Sequence, residues 1–385
     1  MEVRYFDNSA TTRIKEEVLT EMFPYLSREY GNPSSLYSIG RKSKRAIEEA
    51  RKRVASLINC KPEEIYFTSC GSESDNTALK GIAYANQNKS KHIITSKIEH
   101  PAILHSCQNL ESKGFEVTYL DVDKNGFVNL ETLENSIKPD TILISIMFAN
   151  NEIGTIEPIE EIAKIAHKNG IIFHTDAVQA CGNIPIDVQK MDIDLLSLSG
   201  HKIYAPKGIG ALYVKKEIEF ERFMDGGHQE KNKRSGTENV AEIVALGKAC
   251  QIAEKNMEAY QKKLQTLRNY CLEKMKKNFP NIHINGTMEK RLPGNINVSF
   301  EGQNATEMLY KLDEMGICAS GGSACSSGDN SPSHVLTAIG LPSELAKGTI
   351  RFTFGDFNTK DDVDYLIAAI AHLIPSTAAD IIPPA

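Results

Sequence analysis

Seven short apolar segments, separated for the most part by amphipathic segments, constrain the fold of this chain more than any other feature. Residues 141–148 are apolar at nearly every position, which is typical of a strand buried on both faces. Residues 157–168 show apolar positions at helical spacing. This alternation predicts a parallel sheet covered by helices on both faces. The predicted strands are residues 65–68, 92–95, 117–120, 141–148, 171–174, 195–198 and 209–214.

The pattern changes beyond residue 239, where one long helix is followed by shorter elements. Apolar residues three or four positions apart predict that helix over residues 240–278. Two further strands and a helix are predicted at residues 295–300, 349–353 and 361–373. The sequence therefore predicts a large α/β domain, residues 13–258, and a smaller α+β domain that combines residues 1–12 and 259–385.

Net charge and cysteine spacing argue against several classes of protein. The 385 residues carry a formal net charge of −6 at pH 7, which argues against a nucleic-acid-binding surface. No apolar run approaches the length of a membrane span, and the N-terminus lacks the apolar core of a signal peptide. The eight cysteines form no Cys-x-x-Cys pair, so neither a zinc site nor a disulfide framework is indicated. We therefore expect a cytoplasmic protein without a bound metal, a membrane contact or a direct nucleic-acid partner.

Polar side chains follow the predicted strands at the points where the strands end. Because parallel strands have their carboxyl ends at one edge of a sheet, we expect these side chains to form one site. Gly71 and Ser72 open a predicted helix, and the free amides of a helix start suit a phosphate group. An ordinary helix cap is the alternative interpretation of that pair. The residues that follow the later strands are His100, Asn151, Asp176, Gln179, Ser199, His201 and Lys202.

Lys202 lies on a short loop between two predicted buried strands, which would hold its side chain in place. A fixed lysine with a lowered pKa suits covalent chemistry with a carbonyl group. A surface turn with a solvated lysine is the simpler alternative when this loop is taken alone. The chain has no Gly-x-Gly-x-x-Gly after a strand and no P-loop motif, which disfavours dinucleotides and P-loop nucleotides. A lysine, the carboxylate of Asp176 and a phosphate loop together match what pyridoxal phosphate requires.

Six motifs give the chain a resemblance to a known family. They are DNSATT from residue 7, GNPSS from residue 31, NNEIG from residue 150, SGHK from residue 199, RSGTEN from residue 234 and GSACS from residue 322. Through them the chain, from about residue 5 to about residue 371, resembles the NifS/IscS-type cysteine desulfurases, class V aminotransferases of pyridoxal-phosphate fold type I. The resemblance implies a large, mostly parallel seven-stranded α/β domain, a smaller α+β domain and a homodimer.

The resemblance also implies roles for the residues at the strand ends. Lys202 resembles the Schiff-base lysine, Asp176 the partner of the pyridine nitrogen, and His100 the residue that stacks on the ring and passes protons. Gln179 would bond the ring hydroxyl, with Asn151 beside it and near the substrate. The expected ligands of the phosphate are Gly71, Ser72, Ser199, His201 and, from a second subunit, Thr237.

Arg351 resembles the residue that binds the carboxylate of the substrate, a role that suits its rigid, two-pronged guanidinium. Each assignment has a structural alternative when it is taken alone. Asp176 could cap a helix, Arg351 could form an inter-domain ion pair, and His100 or His201 could be a structural histidine. The joint pattern favours the functional interpretation.

Cys325 carries the chemistry that distinguishes this family from plain aminotransferases. Gly and Ser residues surround it, and this composition predicts an exposed, flexible loop at about residues 319–332, as a moving nucleophile requires. The resemblance implies that L-cysteine becomes L-alanine while its sulfur passes to Cys325 as a persulfide. A protein acceptor, either an iron–sulfur scaffold or a tRNA-thiolation enzyme, then takes the sulfur. The expected catalytic residues are Lys202, Cys325 and His100.

Several departures from the family pattern, one of them in the phosphate loop, and two alternative functions accompany this hypothesis. Residues 70–72, Cys-Gly-Ser, stand where the family commonly has Gly-Ala-Thr, so the hydroxyl of Ser72 is expected to replace that of threonine. A selenocysteine lyase or an aminotransferase on the same fold is one alternative, and Cys325 argues against transamination. A sulfur-trafficking or assembly platform with weak catalysis is the other, and the presence of Lys202 and Asp176 argues against it.

Overall fold

The fold is organised around one large sheet, as the alternating pattern predicts. The computed structural model describes residues 3–88, 90–321 and 333–374. Within these residues the strands are β1 (Arg4–Tyr5), β2 (Ile65–Thr68), β3 (His92–Ser96), β4 (Glu116–Leu120), β5 (Thr141–Ser145), β6 (Ile172–Asp176), β7 (Leu195–Ser199), β8 (Gly210–Val214), β9 (Ile282–Ile284), β10 (Asn295–Phe300), β11 (Ile317–Cys318) and β12 (Thr349–Thr353).

Helices connect most of these strands, and the predicted long helix is found over its full predicted length. A single 3-10 turn, Gly200–Lys202, lies between β7 and β8. In the same described ranges the α-helices are α1 (Glu16–Ser27), α2 (Ser38–Ile58), α3 (Gly71–Asn86), α4 (Pro101–Glu111), α5 (Leu130–Asn135), α6 (Ile159–Lys168), α7 (Gln229–Asn232), α8 (Val240–Asn278), α9 (Ala305–Glu314), α10 (His334–Ala338), α11 (Ser343–Ala346) and α12 (Lys360–Leu373).

The large sheet contains all seven predicted strands, in the order β2-β8-β7-β6-β5-β3-β4. The strands run parallel except for β8, which is antiparallel to both of its neighbours. The connection from β7 to β8 is too short for a crossover helix, and a short connection between adjacent strands requires the antiparallel direction. Strand β5 ends at Ser145, three residues before the predicted end, where its partner β3 also ends.

Two apolar layers cover the faces of this sheet. Neighbouring residues of one strand point to opposite faces, so Leu196 packs in a cluster with α2, α6 and α8, whereas Leu195 packs with α3 and α4. The same alternation separates Ile144 from Leu143 on β5. Because both faces are buried along most of the sheet, the strands are mostly apolar, and this composition made them recognisable in the sequence.

A second, smaller sheet lies in the C-terminal part of the chain. Its antiparallel order is β12-β10-β9, and β9 and the short β11 are strands that the sequence did not reveal. Strand β1 pairs in parallel with β11, and Phe6 is buried among the apolar residues of this part. The N-terminal residues at β1 and Phe6 therefore pack with the C-terminal elements.

Helix α8 connects the two parts of the protein. Leu246 and Cys250 in its first half belong to the core beneath the large sheet, whereas Leu264 and Cys271 in its second half belong to the core around the small sheet. The continuous helix crosses residue 258 without a break. The domain boundary that the sequence places there stays a prediction.

Candidate active site

One cavity, of about 210 Å³, lies at the carboxyl edge of the large sheet. It is bordered by the ends of β6 and β7 and by the start of α3, as expected for a ligand site of a parallel α/β sheet. Residues of the small sheet also reach it. The cavity brings together the sequence-predicted residues Gly71, Ser72, His100, Asn151, Asp176, Gln179, Ser199, His201, Lys202 and Arg351.

Asp176 is the last residue of β6 and is 5% exposed. One carboxylate oxygen, Oδ1, accepts a hydrogen bond from the backbone N–H of Val178 at 2.9 Å. Burial raises the pKa of Asp176, while the neighbouring ring of His100 and the ammonium group of Lys202 act in the opposite direction. A buried carboxylate in this position is stabilised by any further cation that enters the cavity.

Lys202 ends the 3-10 turn between β7 and β8, and its side chain reaches the N-terminal segment. The Nζ ammonium donates hydrogen bonds to the backbone carbonyl oxygens of Ala10, at 2.8 Å, and of Ser9. Two residues further on, Tyr204 has a φ of 68°, in the left-handed region that a bulky residue rarely adopts. The backbone N–H of Tyr204 donates to Thr12 Oγ1 at 2.8 Å, which helps to hold this conformation.

The two histidines of the cavity are held by different contacts. His100 caps α4, and its Nδ1 accepts a hydrogen bond from the backbone N–H of Ala102 at 3.1 Å. An accepting Nδ1 leaves the proton of the neutral ring on Nε2. His201 Nδ1 lies 3.1 Å from Thr11 Oγ1, and burial, with the neighbouring positive charge of Lys202, lowers the pKa of His201 to about 4. His201 is therefore neutral at pH 7.

The start of α3 and the end of β7 form a pocket for an anion. Gly71 opens a helix of 16 residues, and a Cβ at this position would lie 2.7 Å from Val178 Cγ2. Free backbone amides at such a helix start attract phosphate. The hydroxyl of Ser199 is buried at the cavity and has no hydrogen-bond partner within the described residues. A buried hydroxyl without a partner is costly, so a phosphate group that accepted its proton would fit here.

Arg351 reaches the cavity from β12 and is 1% exposed. Its Nη2 forms an ion pair with Asp7 Oδ1 at 2.7 Å, and its Nη1 donates to the backbone oxygen of Asn151 at 2.9 Å. The Nε atom is buried and has no hydrogen-bond partner in the described ranges. The guanidinium therefore keeps an unused donor in a place where a carboxylate could approach it.

Two sequence-predicted residues, Thr237 and Cys325, are not among the described residues that border the cavity. Thr237 is exposed, outside the cavity wall. Cys325, with most of the predicted loop at 319–332, lies outside the described residues. The chain on either side of it is anchored close to the cavity. Ser320 forms a β-bridge with Arg351, and Ser333 Oγ donates to Glu152 Oε2 at 2.6 Å.

The cavity also contains residues that the sequence interpretation missed. Asp75 lies on α3 one helical turn after Gly71, a spacing that places both residues on the same face of the helix. That spacing was the available signal. Ser9, Ala10 and Cys70 line the cavity as well, and their positions depend on contacts between distant parts of the chain that no local pattern reveals.

Comparisons with known proteins agree with this arrangement. The family described as aminotransferase class-V matches residues 4–366. The chain is 53% identical to cysteine desulfurase IscS of Methanosarcina thermophila over 96% of this chain and 91% of that protein. It is 52% identical to cysteine desulfurase IscS of Clostridium botulinum, strain Hall, over 96% of this chain and 94% of that protein.

Solved structures show the same similarity at the level of the fold. A NifS-like protein superposes with a TM-score of 0.91 and is 38% identical, with 97% of this chain and 99% of that chain covered. SspA in complex with cysteine superposes with a TM-score of 0.81 and is 39% identical, over 92% of this chain and all of that chain (100%). The chain therefore belongs to the aminotransferase class-V family, in the group of cysteine desulfurases of the IscS and NifS type.

Proposed function

We propose that this chain is a pyridoxal-phosphate-dependent cysteine desulfurase that converts L-cysteine to L-alanine and receives the sulfur on Cys325. The single observation that carries this proposal is the placement of Lys202, Asp176 and Arg351 around one cavity. An amine, a buried carboxylate and a guanidinium are the groups needed to hold a pyridoxal ring and an amino-acid substrate. The relatives that are 50–53% identical over nearly the whole chain are named cysteine desulfurases.

The donors of the cavity fit pyridoxal phosphate. The phosphate would be held by Gly71 and Ser72 at the start of α3 and by the partnerless hydroxyl of Ser199, with neutral His201 nearby. Asp176 would pair with the ring nitrogen and Gln179 with the ring hydroxyl. His100 would cover the ring, and Asn151 would lie between the ring and the substrate. Lys202 would hold the cofactor covalently until the substrate takes its place.

When bound, pyridoxal phosphate supplies an electron sink that acidifies the α-carbon of an amino acid. Lys202, once released from the cofactor, is the amine that takes the α-proton. Its two carbonyl contacts at Ser9 and Ala10 position the amine at the cavity wall. Arg351 binds the α-carboxylate, with Asp7 fixing the orientation of the guanidinium. These contacts orient the α-carbon and the α-carboxylate of the substrate, and they do not involve its side chain.

Cys325 supplies the step that makes the reaction a desulfuration. Its thiolate attacks the sulfur of the substrate, so that a sulfur–sulfur bond forms while the bond between sulfur and the β-carbon breaks. The electron pair stays with the β-carbon, which is protonated to the methyl group of alanine. The enzyme thiol and L-cysteine thus give an enzyme persulfide and L-alanine. The anchoring of Ser320 at Arg351 and of Ser333 at Glu152 supports an approach of this segment to the substrate site.

Two features support a homodimer in which the subunits share their active sites. Thr237 is exposed in the single chain, as expected of a residue that contributes to the site of a second subunit. Exposed apolar side chains are also concentrated in one stretch, which contains Leu19, Phe23, Leu26, Tyr30, Leu36, Tyr37 and Ile39. Apolar surface of this kind is typical of a protein interface.

The sulfur acceptor and the location of the protein stay predictions. An iron–sulfur scaffold protein and a tRNA-thiolation enzyme are the two expected acceptors, and a pull-down that recovered neither kind would contradict both.

In the described part of the chain, no helix is long and apolar enough to cross a membrane. The cytoplasmic location that we expect would be wrong if cell fractionation recovered the protein outside the cytoplasm.

Cys325→Ser is the first test of the proposed reaction. Because the hydroxyl cannot accept sulfur, we expect alanine formation to fall by about a thousandfold or more, the scale on which loss of a catalytic nucleophile acts. Mass spectrometry after addition of L-cysteine should show a one-sulfur adduct on Cys325 of the wild type and none on the variant. Cys318→Ser is the matched control, because burial raises the pKa of the Cys318 thiol and weakens it as a nucleophile. Alanine that survives in the Cys325 variant would point to another acceptor or another reaction.

Arg351→Lys tests the substrate site. Lysine keeps the positive charge but loses the second prong of the guanidinium, so we expect kcat/KM for L-cysteine to fall by about tenfold to a hundredfold, mainly through KM. Initial-rate kinetics of alanine formation measure this effect. Arg291→Lys provides the matched control, since Arg291 is buried outside the cavity and bonds backbone oxygens of Ile153 and Asn285. An unchanged KM in the Arg351 variant would contradict the assignment.

Ser199→Ala tests the phosphate pocket. The hydroxyl makes no hydrogen bond within the described protein, so its removal should leave thermal stability unchanged. The affinity for pyridoxal phosphate should fall by about tenfold to a hundredfold, as measured by titration of the stripped protein. In the control Ser197→Ala, on the same strand, stability should fall, because Ser197 Oγ bonds His174 Nε2 at 3.0 Å. Equal effects of the two substitutions on cofactor affinity would be evidence against the pocket.

Thr237→Val tests the shared site. We expect sedimentation equilibrium of the wild type to give twice the chain mass of 42.6 kDa. Thr237 lies outside the cavity of its own chain. If it contributes to the cavity of a second subunit, the variant should bind pyridoxal phosphate about tenfold more weakly. Thr266→Val is the control, because its hydroxyl bonds the carbonyl oxygen of Lys262 within the same helix. A monomeric protein, or an unchanged cofactor affinity, would show that the site is not shared in this way.

A further inference from the structure

Asp75 is an acid of the cavity wall that the proposed reaction does not use. It lies on α3, one turn after Gly71, and is 1% exposed. Its Oδ1 atom is buried and has no hydrogen-bond partner within the described chain. A charged carboxylate oxygen left in this state would carry a large desolvation cost, because nothing replaces the water that it has lost.

The neighbour of Asp75 is the second buried carboxylate, that of Asp176. Ligand atoms of Asp75, Asp176 and His100 all lie within 4.8 Å of one another. Two carboxylates this close together in a buried site do not both ionise, so one of them keeps a proton over a wide range of pH. The surroundings of the two residues decide which one it is.

Asp176 has the contacts that stabilise a negative charge. It accepts the backbone N–H of Val178, and the positive charge of Lys202 acts on it. Asp75 faces Asp176 on one side and the ring of His174 on the other, with His174 Nε2 3.9 Å from Asp75 Oδ1. Burial lowers the pKa of His174 to about 3, so this ring is neutral and offers no positive charge.

Of the remaining groups around Asp75, Ser197 favours ionisation, but burial and the charge of Asp176 outweigh it. His174 uses its ring nitrogens on Ser145, at 2.9 Å, and on Ser197, at 3.0 Å. Burial and the charge of Asp176 together raise the pKa of Asp75 well above its ordinary value, and Ser197 opposes this shift through a hydrogen bond. The titratable groups that face Asp75 are Asp176, Glu99, Cys70, His100 and His174.

We propose that Asp75 is a positioning residue that stays protonated beside Asp176 and thereby keeps Asp176 ionised toward the ring nitrogen of the cofactor. This inference rests on the proposed pairing of Asp176 with that nitrogen. An ionised Asp75 would place a second negative charge at the same point, and the shared proton would then move to Asp176. The ring nitrogen would lose its anionic partner, and with it the protonation on which the electron sink depends.

Infrared spectroscopy of the cofactor-loaded, full-length protein tests the proposal directly. A protonated carboxyl group has a C=O stretch that is separate from that of a carboxylate, and labelling with ¹³C-aspartate shifts it apart from the signals of glutamate. At neutral pH we expect one such band in the wild type and its loss in Asp75→Asn, which keeps the shape without a titrating proton. Glu157→Gln is the matched control, because burial raises the pKa of Glu157 to about 8 at a site outside the cavity. The aspartate band should persist in that control.

The pH dependence of stability gives a second, independent measurement of the protonation state of Asp75. A carboxyl whose pKa is raised on folding contributes stability below its unfolded pKa, about 3.9, and loses it as pH rises toward the folded value. The melting temperature of the loaded wild type, relative to Asp75→Asn, should therefore fall as pH rises from 4 to 8. The opposite trend, or an aspartate band that is absent from the wild type at neutral pH, would overturn the proposal.

The outcomes separate this inference from the proposed function. A wild-type protein that binds no pyridoxal phosphate, or forms no alanine from L-cysteine, would contradict the proposed function. Alanine formation by a wild type that lacks the aspartate band would contradict the role of Asp75 alone. Should Asp75→Asn fail to fold, Asp176→Asn still assigns the band, which should persist if Asp75 holds the proton and vanish if Asp176 holds it.

Discussion

The hydrogen bonds of residues 7–12 hold the two halves of the active site together. Lys202 from the large sheet donates to the carbonyl oxygens of Ser9 and Ala10, and Arg351 from the small sheet pairs with Asp7. Gln179 Nε2 also donates to the carbonyl oxygen of Ser9, at 3.0 Å. One short segment thus sets the distance between the amine proposed to carry the cofactor and the guanidinium proposed to bind the substrate.

Charge balance inside the cavity follows from the same constraint. Burial makes every unpaired charge expensive, so the number of cations and ionised acids must nearly match. Arg351 is neutralised by Asp7, and Asp176 is balanced by the ammonium group of Lys202. Asp75 is the acid left over, and its protonation is the simplest way to keep the balance. A bound phosphate would be held by backbone amides and by the Ser199 hydroxyl, which are neutral donors.

Much of this architecture could be predicted from the sequence, because its physical causes are local. Strands buried on both faces are mostly apolar, and this pattern made the strands of the large sheet recognisable. Helix α8 was found over its full length from the spacing of its apolar residues. Strands β9 and β11 were missed, since segments of three and two residues carry too little pattern to be distinguished from a loop.

The sequence by itself determined the chemical inventory of the site and the edge of the sheet where it assembles, because residues that follow parallel strands must meet there. The ten sequence-predicted residues that line the cavity were identified in this way or through the family resemblance. The tertiary structure decided which of these groups touch. Three sets of contacts join residues that are far apart along the chain. Arg351 pairs with Asp7, Lys202 contacts Ser9 and Ala10, and Asp75 lies close to Asp176. Such contacts arise from packing of whole elements, which no local pattern of residues specifies.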